Sequence, residues 1–118
     1  MNSIIETIDV TDLVDLCATT DVAEGEIFRA RLPSGHAVAI YCVNGDFFAT
    51  DDMCSHGEAS LSEDGSLEGY EVECSWHFGR FDVRTGDACA MPCEHPLRIW
   101  PLKIEGGRIL VHTEGSAL

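Results

Sequence analysis

The chain has 118 residues, of which 45% are hydrophobic, and these values indicate one globular domain with a modest core. A formal net charge of −14 argues against binding to nucleic-acid phosphates and fits either solubility or steering toward a basic surface on a protein partner. No apolar run reaches the roughly 18 residues of a membrane span, and the N-terminus lacks a basic signal-peptide region, so the expectation is a cytoplasmic protein without a membrane segment.

Short strands separated by turns are predicted for the first half of the chain. Residues 4–10 alternate loosely and predict a strand, and Thr11-Asp12 predicts a capped helical turn over Leu13, Val14 and Leu16. Further strands are predicted at 26–32, 36–43 and 47–49. Asn44-Gly45 predicts a tight hairpin, because both central residues of a type I′ turn need positive φ.

The second half continues the same pattern and contains many glycines. Strands are predicted at 71–74, 80–83, 97–104 and 108–112, with Pro101 placing the third of these at an edge or a bulge. The fold class is therefore all-β, an antiparallel sandwich or small barrel. Residues 1–118 are expected to form one domain, with a base sheet from 1–49 and 96–118 and an inserted metal-binding subdomain at 50–95.

The candidate metal ligands are four residues in two short segments, Cys54-x-His56 and Cys74-x-x-His77. Two thiolates and two imidazoles suit either one tetrahedral zinc or a two-iron, two-sulfide cluster with both Cys on one iron and both His on the other. Zinc modules usually pair Cys with Cys and His with His, whereas each segment here offers one of each, which favours the dinuclear cluster. The other four cysteines are expected to be free and apolar in character rather than joined as disulfides: Cys17, Cys42, Cys89 and Cys93.

These segments, with Gly79-x-Phe81 after the second, resemble the Rieske iron–sulfur motif, and the resemblance extends from about Glu24 to Val111. It implies the base-and-insert layout and a [2Fe-2S] cluster held by Cys54, His56, Cys74 and His77. Because the imidazoles are neutral, the oxidised cluster is neutral and the reduced one carries a single negative charge, which raises the potential above that of an all-Cys cluster.

Four non-ligand positions predict a potential at the low end of the Rieske range. High-potential members of the family carry an extra disulfide and two hydroxyl donors, and the matching positions here are Ala59, Trp76, Gly79 and Phe81. Fewer hydrogen bonds to sulfur destabilise the more negative reduced state.

The chain is similar to the Rieske ferredoxins of bacterial aromatic-ring-hydroxylating dioxygenases, although Ser75 and Phe78 depart from the usual second loop. The resemblance implies a monomeric electron carrier, not an enzyme, that takes single electrons from an NAD(P)H-dependent flavoprotein reductase and passes them to a terminal Rieske oxygenase. Two alternatives remain open: a small Rieske subunit of an assimilatory nitrite reductase, and a structural zinc module.

Several neighbouring residues have both a functional and a plain interpretation. Met91-Pro92 resembles a loop that covers the cluster, or is a simple turn. Trp76 and Phe78 are expected to shield the cluster and form an apolar docking surface, with packing in the core as the alternative for Trp76. A second metal site at Cys89, Cys93 and His95 is disfavoured, because their spacing across a proline need not bring them together.

Overall fold

The computed structural model describes residues 13–53, 60–74, 79–90 and 97–113. These residues contain ten strands, one 3-10 turn at Thr19–Asp21 and one short helix, α1, at Leu61–Asp64. The strands are β1 (Leu13–Ala18), β2 (Ile27–Arg31), β3 (Ala37–Val43), β4 (Asp46–Asp51), β5 (Gly65–Glu68), β6 (Glu71–Cys74), β7 (Arg80–Asp82), β8 (Ala88–Ala90), β9 (Leu102–Glu105) and β10 (Arg108–His112). The predicted all-β class is confirmed. Neither helical element in this described part is long and apolar enough to cross a membrane.

The strands form three antiparallel sheets. Sheet A has the order β1-β10-β9, sheet B the order β2-β3-β4, and sheet C the order β5-β6-β7-β8. Sheets B and C join neighbours along the chain, whereas sheet A pairs the first described strand with the last. Sheet C lies wholly within the predicted insert, but the division into base and insert at residues 50 and 95 stays a prediction.

The central strand of sheet B is buried on both faces. Val38 and Ile40 of β3 lie in one apolar cluster, with side chains of β1, β2 and β10. The alternate residues Ala39 and Tyr41 lie in a second cluster, with side chains of α1, β6 and β7. Since successive residues of a strand point to opposite faces, β3 joins the core of the base to the core of sheet C.

The turn between β3 and β4 has the predicted conformation. Asn44 has a φ of 55° and Gly45 a φ of 81°, as a type I′ hairpin requires. The Glu24 carboxylate, from the loop before β2, accepts the backbone N–H of Asn44 at 2.6 Å and that of Gly45 at 3.0 Å. These bonds favour the charged carboxylate and lower the pKa of Glu24.

One local prediction is wrong. The segment predicted as a helical turn after Thr11-Asp12 is strand β1, which pairs with β10. A local capping signal cannot anticipate this pairing, because the partner strand lies ninety or more residues away at Arg108–His112. The strand predicted at 4–10 lies outside the described residues.

Other elements were missed or shifted. Strands β5 and β8 and helix α1 were not predicted, since each is only three or four residues long. The strand predicted at 97–104 begins only after Pro101, at Leu102, and Ile99 before it makes an isolated bridge to Thr50. Pro101 lacks the N–H that a continuous ladder would use.

We expect Glu24→Gln to lower the midpoint of thermal unfolding at pH 7, because the neutral amide is a weaker acceptor for the two turn amides. The folded-state pKa of Glu24 is depressed, so its contribution is complete above the unfolded-state pKa of roughly 4.3 and is lost as the pH falls through the folded-state value. The difference from the parent protein should therefore shrink at acid pH in melts followed by circular dichroism. Glu26→Gln, at an exposed neighbouring position, is the control, and equal deficits in the two variants would contradict the assignment.

Candidate metal centre

The structure describes one of the four predicted ligands and the residues on either side of both ligand loops, which we call the loop frames. Cys74 is the last residue of β6 and its side chain is fully buried. Cys54, His56 and His77 lie outside the described residues, so the predicted ligand set stays a prediction. Within 13–53, 60–74, 79–90 and 97–113, no group of three or more His, Cys, Asp and Glu side chains is placed to hold a metal ion.

The first loop, residues 54–59, has closely spaced ends. Met53 and Ser60 form an antiparallel bridge across its base. Immediately beyond, the backbone N–H of Leu61 donates to the carbonyl of Asp52 at 2.7 Å, and α1 begins. The segment with Cys54 and His56 therefore starts and ends at one place on the protein.

The second loop, residues 75–78, is the tip of a hairpin. The N–H of Cys74 donates to the carbonyl of Gly79 at 2.9 Å, and the next pair, Glu73 and Arg80, is in register between β6 and β7. The predicted strands on either side of this loop are confirmed. The pairing of β6 with β7 fixes the position of Cys74, at the end of the first of these strands.

The two frames lie against each other. Gly65 of β5 is the register partner of Cys74, and Leu61 of α1 lies with Cys74 in the second apolar cluster. A side chain at Gly65 would place its Cβ 2.6 Å from the Leu61 carbonyl oxygen and 3.2 Å from that of Glu73. This close approach explains why residue 65 is a glycine. It also brings the residues that follow the first loop next to Cys74, where the second loop begins.

The surroundings of Cys74 suit a structural thiolate ligand. Its neighbours in the cluster include Tyr41 and Phe81, both fully buried, so the sulfur is closed off from solvent on the protein side. A soft thiolate donor at a buried loop base fits either an iron–sulfur cluster or zinc. The described residues thus fit the inner, Cys-bound side of the predicted centre.

Charged residues on sheet C are paired locally. The Arg80 guanidinium lies 3.3 Å from Glu71, 3.5 Å from Glu68 and 3.9 Å from Glu73. The pKa of Arg80 is raised above its ordinary value, mainly by the hydrogen bond to Glu71. One cation thereby offsets part of the charge of three carboxylates beside the second loop.

The remaining described cysteines are free thiols. Cys17 and Cys42 are buried as predicted, and burial raises the pKa of Cys17 to about 11. Cys89 is exposed, which corrects its predicted apolar setting: it lies on β8, the edge strand of sheet C, with its side chain directed away from the cluster that Ala88 contacts. Cys93 and His95 lie outside the described residues, as do Met91-Pro92, Ala59, Trp76 and Phe78.

The contacts of His36, Asp51 and Asp52 were not predicted from the sequence. His36 Nε2 lies 2.7 Å from the Asp51 carboxylate, which also accepts the indole N–H of Trp100 at 2.8 Å. Asp52 is 2% exposed, and only Met53 separates it from the first loop. Two adjacent carboxylates two residues from a predicted ligand were the available signal, but their burial follows from tertiary packing.

The profile of the Rieske [2Fe-2S] domain family matches residues 12–101. The ferredoxin component of the p-cumate 2,3-dioxygenase system of Pseudomonas putida is 81% identical over 111 residues, which cover 94% of this chain and 94% of that protein. The biphenyl dioxygenase ferredoxin subunit of Pseudomonas sp. (strain KKS102) is 46% identical over 102 residues, covering 86% and 93%.

A solved structure also resembles the chain closely. It is the complex of reduced oxygenase and oxidized ferredoxin in carbazole 1,9a-dioxygenase, of which one chain superposes with a TM-score of 0.80 at 37% sequence identity. The superposition covers 86% of this chain and 94% of that one. The relatives are therefore similar in length and fold as well as in sequence.

We expect Gly65→Ala to lower the free energy of unfolding by about 1–3 kcal/mol, the usual cost of a forced steric overlap. The φ of Gly65 is −97°, which any residue can adopt, so the cost is the contact with the Leu61 carbonyl. Urea unfolding followed by circular dichroism measures it. Ser66→Ala, at the exposed next position of β5, should change stability by less than about 0.5 kcal/mol. Equal effects of the two substitutions would show that the close approach is unimportant.

Proposed function

Because the chain belongs to the Rieske [2Fe-2S] domain family, we propose that it is the electron-carrying ferredoxin of an aromatic-ring dioxygenase system. The observation that carries this proposal is the 81% identity to a ferredoxin component over 94% of both chains. That relative is named as the ferredoxin component of a dioxygenase system, and the match covers 94% of its length. The chain is an electron carrier and not itself the oxygenase.

We propose Cys54, His56, Cys74 and His77 as the cluster ligands. Support comes from their spacing, from the burial of Cys74 and from the contact between the two loop frames. The bound cluster supplies a centre that accepts and releases one electron. The protein keeps the Cys74 sulfur away from water and joins the two ends of the second loop through the hydrogen bond from Cys74 to Gly79.

The low reduction potential is part of the same proposal. Gly79 and Phe81 offer no side-chain hydroxyl near the second loop, and both are buried. Buried positions without a donor leave the cluster sulfurs with fewer hydrogen bonds, which disfavours the added electron. Ala59 and Trp76 cannot form the additional disulfide of high-potential relatives.

The partners are proposed from the relatives. The carbazole dioxygenase structure contains ferredoxin with its oxygenase, so a terminal oxygenase is the proposed electron acceptor here. The electron donor would be a flavin-containing, NAD(P)H-dependent reductase, and the ferredoxin would act as a monomer in the cytoplasm. The much higher identity to the p-cumate relative, 81% against 46% for the biphenyl relative, favours a system acting on p-cumate or a similar aromatic acid.

We expect alanine at Cys54, His56, Cys74 or His77 to abolish the cluster or strongly destabilise it, because ligand binding is coupled to folding of the surrounding loops. Iron and acid-labile sulfide assays, together with the visible spectrum, measure the loss. The parent protein should hold two irons and two sulfides per chain. A colourless parent protein with one zinc would instead support the structural zinc module.

The matched control is Cys89→Ser. Cys89 is a free, exposed thiol on the edge strand of sheet C, so its substitution should leave the iron content unchanged. Full retention of the visible spectrum after alanine substitution of a proposed ligand would refute its assignment.

We expect the purified protein to restore NADH-dependent or NADPH-dependent oxygenation of p-cumate when it is combined with the reductase and oxygenase of a p-cumate system. Added salt should slow electron transfer, because a chain of net charge −14 approaches a basic docking surface faster at low ionic strength. Stopped-flow reduction and oxidation of the ferredoxin measure the rates. Activity only with a sirohaem nitrite reductase would favour the alternative subunit, and a rate that does not vary with salt would remove the steering argument.

A further inference from the structure

Asp52 is a buried carboxylate at the entrance to the first ligand loop. It lies two residues before Cys54, and only 2% of it is exposed. Among the residues described, it is the one charged residue that is buried to this degree. Removal of a carboxylate from water is unfavourable unless hydrogen bonds and an opposite charge compensate for it. The partners of Asp52 therefore show which parts of the chain it fastens together.

The partners of the Asp52 side chain lie on the other end of the loop. Oδ2 accepts the hydroxyl of Ser60 at 2.5 Å, and Oδ1 accepts the backbone N–H of Ser62 at 2.8 Å. The backbone carbonyl of Asp52 accepts the N–H of Leu61 at 2.7 Å. Asp52, which precedes the loop, therefore binds three consecutive residues that follow it.

Asp52 also takes the place of a helix cap. Ser60 stands at the N-cap of α1, but its side chain makes no capping hydrogen bond to the helix. The N–H of Ser62 in the first turn is instead satisfied by Asp52 from across the loop. The start of α1 consequently depends on a residue that precedes both Cys54 and His56.

An arginine from the base completes the cluster of contacts. Arg29 of β2 lies 3.9 Å from Asp52 Oδ2 and 2.6 Å from Glu63 of α1. The backbone N–H of Asp52 donates to the carbonyl of Ala37 at the start of β3. The loop ends are thus fastened to one another and also to sheet B.

We propose that Asp52 is a positioning residue that fixes the spacing of the two ends of the first ligand loop and thereby orients Cys54 and His56 toward the cluster. This inference rests on the proposed cluster and its ligands. It assigns Asp52 no contact with the cluster: the carboxylate acts through Ser60, Ser62 and the backbone of the loop.

The test compares Asp52→Ala and Asp52→Asn with Asp51→Asn in the purified, cluster-containing protein. Cluster loss in excess EDTA is followed by visible absorbance, and the reduced cluster is examined by electron paramagnetic resonance. Loss should be about 10-fold to 100-fold faster in Asp52→Ala, as is usual when a residue supporting a metal ligand is removed. Asp52→Asn keeps the shape and one acceptor oxygen, so it should show a smaller acceleration.

Asp51→Asn is the matched control, since Asp51 is the adjacent carboxylate but binds His36 and Trp100 of the base instead of the loop. It should leave the resonance spectrum unchanged even if it lowers the thermal midpoint. Altered g-values of the reduced cluster in the Asp52 variants, with those of Asp51→Asn unchanged, distinguish positioning of the ligands from general stability.

A double substitution checks the route of the effect. If Asp52 acts through Ser60, then adding Ser60→Ala to Asp52→Ala should accelerate cluster loss little further, whereas Ser60→Ala alone accelerates it. Unchanged kinetics and spectra in both Asp52 variants would overturn the positioning role while leaving the proposed function intact. A parent protein without iron and sulfide would overturn both. If Asp52→Ala does not fold, Asp52→Asn decides the outcome.

Discussion

The two-sided burial of β3 is the constraint on which the rest of the structure depends. Val38 and Ile40 close the core of the base, while Ala39 and Tyr41 provide the floor on which sheet C packs. Sheet C has strands of three or four residues, too short to form a stable core alone. It is ordered because one face lies on a strand that sheet B already holds in place. The candidate metal centre therefore takes its position from the base.

The same strand links the two loop frames. Tyr41 and Cys74 share an apolar cluster, and the hydroxyl of Tyr41 lies 2.8 Å from that of Thr50, near the end of β4. From there the chain passes through Asp52 into the first loop. The described ends of both loops are thus within one or two contacts of β3, which gives a physical reason for their fixed position. Fixed loop ends suit electron transfer, because little rearrangement of the base should accompany the change of charge.

Sequence patterns predicted the parts of the fold that local chemistry decides. Asn44-Gly45 specified its turn because few residues tolerate two successive positive φ angles, and the strands predicted on either side of the second loop pair as β6 and β7. Strand β1 was mistaken for a helical turn because its partner is distant in sequence. Asp52 was missed because a buried acid and an exposed acid look alike until the contacts are known. The spacing and the family resemblance predicted the four ligands, whereas the contacts of the residues beside them could not be predicted from the sequence.

The distribution of positive charge explains why the chain presents a negative surface. All seven Lys and Arg residues are among those described, and each has an intramolecular role. Five form ion pairs with Asp or Glu, Arg31 donates to the Gly35 carbonyl, and Arg98 stacks on Trp100. The remaining carboxylates therefore determine the electrostatic potential around the protein. Since cations within the chain offset only a minority of the 21 acids, a partner meets a negative surface. The arginines stabilise the fold, and the uncompensated acids are the residues that would make the proposed approach to a basic partner dependent on salt.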